Sequence, residues 1–69
     1  MLEVEAPVTG TVWKVEVKQG DSVATGATLV ILESMKMEIP VEAPSAGRVA
    51  ELRAAPGQAV EEGETLIVL

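Results

Sequence analysis

The strongest constraint on this chain is an internal repeat. Its six glycines fall at Gly10, Gly20, Gly26, Gly47, Gly57 and Gly63, three pairs each 37 residues apart. Residues 4–32 laid on 41–69 need no gap, and 12 of the 29 positions are identical, among them Val4/Val41, Ala6/Ala43, Pro7/Pro44, Val12/Val49, Val23/Val60 and Leu29/Leu66. Scattered valine, alanine and glutamate matches arise from composition alone, but composition does not put every glycine in register. Self-similarity at a fixed period marks one supersecondary unit used twice, neither copy able to bury its apolar face alone.

Each copy reads as short strands separated by turns. Val, Thr, Ile and Leu dominate, and the recurring glycines leave no helical stretch of convincing length. The expected strands are 3–6, 11–17, 23 and 28–33 in the first copy, and 41–43, 48–54, 60 and 65–69 in the second. The matched glycines predict turn positions with positive φ in both halves. Val12, Val15 and Val17 do not share one parity, nor do Val49, Leu52 and Ala54, so a bulge is expected near 13 and 50. Trp13, whose repeat partner is Ala50, is then expected to be partly exposed and without a functional role. Two four-piece units packed about a pseudo-twofold axis predict an all-β fold, a flattened β-barrel or sandwich of two four-stranded antiparallel sheets with an internal duplication. The domain expected is a single one over 1–69, with repeat halves 4–32 and 41–69 and a connecting hairpin at 33–40.

Composition narrows the function. A chain of 69 residues buries only about 60% of its unfolded surface, which leaves a thin core and no deep catalytic cavity. The absence of cysteine and histidine removes thiolate nucleophiles, disulfides, the common zinc sites and the most frequent general base. A net charge of −6 opposes nucleic-acid phosphates and anionic membranes, and one aromatic cannot build a base-stacking platform. Leu29 to Leu32 is the longest aliphatic run, against the roughly 20 residues needed to span a bilayer. The N-terminus has no basic, apolar signal layout, so a soluble, cytoplasmic domain is expected. Ten glutamates and Asp21 are spread along both halves, which favours solvated charges over a catalytic carboxylate pair.

The connection between the copies is Glu33-Ser34-Met35-Lys36-Met37-Glu38-Ile39-Pro40. Extended segments flank it, so the chain must reverse around Met35-Lys36. Tight two-residue hairpins recruit Asn, Gly or Asp because both central residues take positive φ. A methionine and a lysine there break that local preference, and such breaches gather at functional positions. Two methionines at a protruding tip cannot both be core, and methionine suits a surface that moulds onto a partner. An exposed lysine with soft apolar neighbours and outlying Glu33 and Glu38 has the form of a target for another enzyme.

These residues resemble the attachment motif of the biotinyl domains of biotin carboxyl carrier proteins, whose Met-Lys-Met lysine bears biotin. The similarity covers the whole chain and includes Gly20-Asp21-Ser22-Val23 and Gly57-Gln58-Ala59-Val60, which resemble the family's Gly-Asp-x-Val turns. The resemblance implies that a biotin protein ligase joins biotin to Lys36 as an amide. It implies further that a biotin carboxylase loads the carboxyl group and that a carboxyltransferase delivers it. Met35 and Met37 carry over as ligase and partner contacts, and Glu33 and Glu38 as acidic flanks that help the ligase select the hairpin. No catalytic residue and no metal site is expected in the chain itself. Ser34 departs from the alanine more usual at its position. Thr11 to Gly20 runs without the thumb insertion of some bacterial carriers, and no Pro/Ala-rich linker precedes Leu2. The chain is therefore expected to be a free-standing carrier or a domain of a longer polypeptide. The acceptor is chosen by the carboxyltransferase and stays open among acetyl-CoA, propionyl-CoA, pyruvate or another; acetyl-CoA carboxylase, in fatty acid biosynthesis, is one complex the resemblance admits.

Two other readings stay open. A lipoyl domain shares the fold and the duplication but typically shows Asp-Lys-Ala around its lysine, whereas Met35 and Met37 occupy both diagnostic flanks here. A lipoyl-like interaction domain, as in efflux adaptor proteins, keeps the turns and needs no modified lysine.

Overall fold

The computed structural model describes residues 2–69; Met1, the first residue of the expected 1–69 domain, lies outside the described residues. Nine strands follow one another among them: β1 (Glu3–Glu5), β2 (Gly10–Val15), β3 (Ser22–Val23), β4 (Thr28–Ser34), β5 (Met37–Glu42), β6 (Gly47–Arg48), β7 (Glu51–Leu52), β8 (Ala59–Val60) and β9 (Thr65–Val68). All pairings are antiparallel, in sheets of order β5-β4-β2-β8, β1-β9-β7 and β3-β6. The all-β class is as expected, but the count differs from eight strands in two four-stranded sheets.

The extra strand has a local cause. In the first copy β2 runs unbroken, and the expected bulge falls at Trp13, where the register with β4 shifts between Val12 and Lys14. Its equivalent in the second copy breaks at Val49–Ala50. There β6 pairs with β3, while the Ala50 N–H donates to the Val68 carbonyl at 2.8 Å and β7 pairs with β9. The chain changes sheets at that point instead of bulging within one. Trp13 is half-exposed, 51%, as a position shared with alanine predicts.

A second pair of irregularities does follow the repeat. The β4–β5 register slips at Leu29 and the β1–β9 register slips at Leu66, 37 residues on. Each slip turns two consecutive side chains inward, Leu29 with Val30 and Leu66 with Ile67, all four at most 1% exposed. The core is thus assembled from equivalent positions: Val4 and Val41, Ala6 and Ala43, Val12 and Val49, Leu29 and Leu66, Val30 and Ile67.

The two halves are also laced together through their turns. The Gly20 N–H donates to the Val49 carbonyl (2.8 Å) and the Val49 N–H to the Asp21 carbonyl (2.8 Å); 37 residues away, Gly57 donates to Val12 (2.7 Å) and Val12 to Gln58 (2.8 Å). Gly26 to Ala43 and Gly63 to Ala6 form another such pair, at 2.8 and 2.9 Å. These four glycines have φ between 86° and 94°, the left-handed region that glycine enters at no steric cost. Gly10 and Gly47 were expected to share that conformation and do not; both lie in strands.

Two strands end their sheets without meeting. β1 and β5 flank an open groove lined by Glu3, Val4, Glu5 and Pro7 and by their equivalents Pro40, Val41, Glu42 and Pro44. Pro40 pairs with Ile31, three steps from the Ser34↔Met37 pair that closes the hairpin, so alternation puts its nitrogen on the outer edge of β5 where no ladder bond is lost. The described residues contain no helix long and apolar enough to cross a membrane.

Candidate functional site

β4 and β5 form the longest ladder of the molecule, and their hairpin is the junction between the repeat halves. Register runs Leu32↔Ile39, Glu33↔Glu38 and Ser34↔Met37, leaving Met35 and Lys36 as a two-residue loop. Their φ values are 53° and 66°, the only positive values outside glycine among the described residues. Positive φ at both central positions defines the primed turn whose twist matches that of the strands. A side chain other than Gly, Asn or Asp held there costs about 1–2 kcal/mol per residue. The strands on either side impose the conformation, since a ladder anchored by buried Val30, Leu32 and Val41 has no other register that keeps its apolar face inward.

The tip itself is in solvent. Met35 is 92% exposed and Met37 64%, while Lys36 is exposed and makes no ion pair among the described residues. Glu33 and Glu38 stand directly opposite one another on the outer side of the ladder. Like charges directly opposite one another are destabilising, so the acidic pair does not serve the hairpin's own stability. The structure therefore brings Glu33, Met35, Lys36, Met37 and Glu38 together at one protruding end, with the amine at its apex and carboxylates one step back. An amine so placed, exposed at the apex and outside the core, can enter a foreign active site and accept an acyl group.

The root of the hairpin involves Ser34, Thr9 and Gly10, none of which has a functional role assigned from sequence. The Ser34 hydroxyl donates to the Thr9 carbonyl at 2.9 Å, and the Thr9 hydroxyl accepts the Glu62 N–H at 3.1 Å. Beside them Gly10 lies so close to β4 that a Cβ would come 2.5 Å from the Glu33 carbonyl oxygen. Nothing at repeat-equivalent Gly47 is comparable, where a Cβ would meet only the Leu69 Cβ at 3.7 Å. In sequence, the perfect match of the two glycines concealed this difference, and the one available signal was the serine in place of alanine. Elsewhere, the Arg53 guanidinium hydrogen-bonds Glu51 (2.9 Å), which lowers the carboxyl's pKa and raises its own. That pair lies on and beside β7, outside the hairpin.

Comparison with known proteins places these features in context. The family described as "Biotin-requiring enzyme" matches residues 2–69. The biotin/lipoyl attachment protein of Bacillus subtilis is 50% identical over 40 residues, 58% of this chain and 55% of that one. The methylmalonyl-CoA carboxyltransferase 1.3S subunit of Propionibacterium freudenreichii is 56% identical over 36 residues, 52% of this chain and 29% of the subunit. Among solved structures, a single-chain, multi-domain long-chain acyl-CoA carboxylase superposes with a TM-score of 0.89 at 38% identity, covering 94% of this chain and 7% of the enzyme. The matched stretch spans little more than half of the first of these relatives and less of the others.

Proposed function

The chain belongs to the biotin/lipoyl family, and on that premise we propose that it works as a biotin carrier with Lys36 as the attachment residue. The observation that carries this reading is a lysine held with positive φ at the exposed apex of the hairpin between the repeat halves, flanked by two exposed methionines. The residues fit a tethered group: among the described residues the amine makes no ion pair, and the apex is clear of the core.

Attachment requires little of this chain beyond presentation. The Lys36 ammonium loses one proton to the ligase or solvent, its nitrogen adds to the carbonyl carbon of activated biotin, the activating group leaves with its electron pair, and a second proton leaves the nitrogen so that a neutral amide remains. Met35 and Met37 supply a deformable apolar contact for the biotin protein ligase, and Glu33 and Glu38 supply charge that orients it. When bound, biotin supplies a ureido nitrogen that carries a carboxyl group from a biotin carboxylase to a carboxyltransferase. The protein keeps the amide end of that arm on a rigid ladder, so that visits to two active sites draw on a high local concentration rather than free diffusion.

The single-domain organisation with halves 4–32 and 41–69 suits this role, because the duplication leaves the segment that joins the copies, 33–40, at one tip. Acceptor choice belongs to the partner carboxyltransferase; acetyl-CoA carboxylase is one such complex, and carriers similar to this chain serve others.

Intact mass of protein from its native host, with peptide mapping, tests the reading. A biotin increment on Lys36, absent from Lys36→Arg protein that keeps its β-sheet circular dichroism, is expected. A lipoyl increment would assign the second family cofactor to the same amine. An increment on Lys14 or Lys18, or none where a known acceptor is labelled, would overturn it.

A further inference from the structure

The two copies of the repeat differ where the first meets the hairpin. Position 9 is Thr in the first copy and Ala46 in the second. Gly10 and Gly47 match in sequence, yet only Gly10 is pressed against a backbone, that of Glu33. The hydroxyl of Ser34, the last residue of β4, reaches back across 25 positions of sequence to the Thr9 carbonyl (2.9 Å), and Thr9 in turn accepts the Glu62 N–H (3.1 Å). Hairpin root, loop before β2 and the turn after β8 are thereby tied in series. None of this is needed to close the core: in the second half Ala46 has no hydroxyl and Gly47 meets only the Leu69 Cβ, yet Val49 enters the same core as Val12. What it does hold is Ser34, the residue paired with Met37 on either side of a loop whose two members are both in a conformation that disfavours them.

We propose that Ser34 is a positioning residue, its hydrogen bond to Thr9 fixing the direction in which Lys36 is presented to the biotin ligase. This rests on the reading of Lys36 as the attachment site. A hairpin tied at its root spends more of its time in the one orientation the ligase accepts; an untied one sways, and its apparent affinity falls with the competent fraction. The effect belongs in KM, with kcat unchanged once the complex has formed.

The experiment measures biotinylation of the whole chain by a biotin protein ligase with biotin and ATP, at a temperature where circular dichroism shows every variant folded. Ser34→Thr retains the hydroxyl and Ser34→Val has nearly the same shape without it. Ser34→Thr is expected to match the wild type, and Ser34→Val to raise KM about two- to tenfold, the range spanned by one ordinary hydrogen bond, with kcat held. Thr9→Val, which removes the tie to Glu62 and lies outside the hairpin, is expected to raise KM in the same direction by a smaller factor. Equal KM for the valine and threonine variants at position 34 would overturn the proposal. So would a Ser34→Val defect with Thr9→Val unaffected, which would assign the serine a direct contact with the ligase. Failure of the wild type itself to be labelled at Lys36 would instead overturn the attachment reading, and this inference with it.

Discussion

The repeat supplies its own control for a stability prediction. Gly10→Ala and Gly47→Ala are the same change at equivalent positions, neither with a left-handed φ, yet the new methyl meets different surroundings. At Gly10 it would lie 2.5 Å from the Glu33 carbonyl oxygen and 3.3 Å from both the Glu33 carbonyl carbon and the Ser34 Cβ; at Gly47 its nearest neighbour is the Leu69 Cβ at 3.7 Å, ordinary van der Waals contact. The Glu33 carbonyl belongs to the β4 backbone and cannot swing aside as a side chain would. Overpacking of this kind costs about 1–3 kcal/mol, and the upper end applies where backbone must move. Alanine at a permissive site gains about 0.4–1 kcal/mol through the less flexible unfolded chain. A domain of this size has about 3–10 kcal/mol in total, and each kcal/mol moves Tm by about 4–8 °C. Gly10→Ala should therefore lower Tm by about 10–20 °C, while Gly47→Ala leaves it unchanged or raises it by a few degrees. Thermal and urea unfolding followed by circular dichroism, with Trp13 fluorescence as a second probe, reads both. Equal shifts for the two variants, or a Gly10→Ala protein as stable as the wild type, would refute the close-approach reasoning.

Two other predictions concern the tip and the surface charges. Met35→Asn replaces a residue at φ 53° and 92% exposure by one that tolerates that conformation, so Tm should rise by an amount corresponding to about 1 kcal/mol while ligase KM worsens; a fall in Tm would mean that Met35 packs rather than protrudes. The Arg53 guanidinium holds the Glu51 carboxyl below its usual range, so the pair stabilises the fold above that range and loses its contribution as pH falls through the lowered value. The Tm difference between wild type and Arg53→Gln should accordingly be present at neutral pH, vanish in acid and shrink with added salt; a difference that grows in acid would contradict the assignment.

The hairpin shows how far sequence reasoning reached. Met35-Lys36 could be placed at a reversal because extended segments flank it, and the structure puts both at positive φ. The glycine turns at 20, 26, 57 and 63 were legible for the same reason: backbone conformations that few residues adopt leave a mark in composition. The bulge at Trp13 followed from the parity of three valines. Ala50 breaks its strand instead of bulging, because the second copy must hand its chain from β3 to β9, and that partner change is a long-range event with no local signature.

Sequence alone determined the duplication, the all-β class and the residues at the apex, since periodicity, turn chemistry and side-chain type are local and each copy repeats them. Tertiary structure decided how those pieces were shared among three sheets, where β1 and β5 were left apart, and which of two identical glycines bears against a neighbour. The reason is geometric: Gly10 and Gly47 have the same side chain and the same place in the repeat. Only the folded chain sets one beside Glu33 at the root of the hairpin and the other beside Leu69 at the chain end.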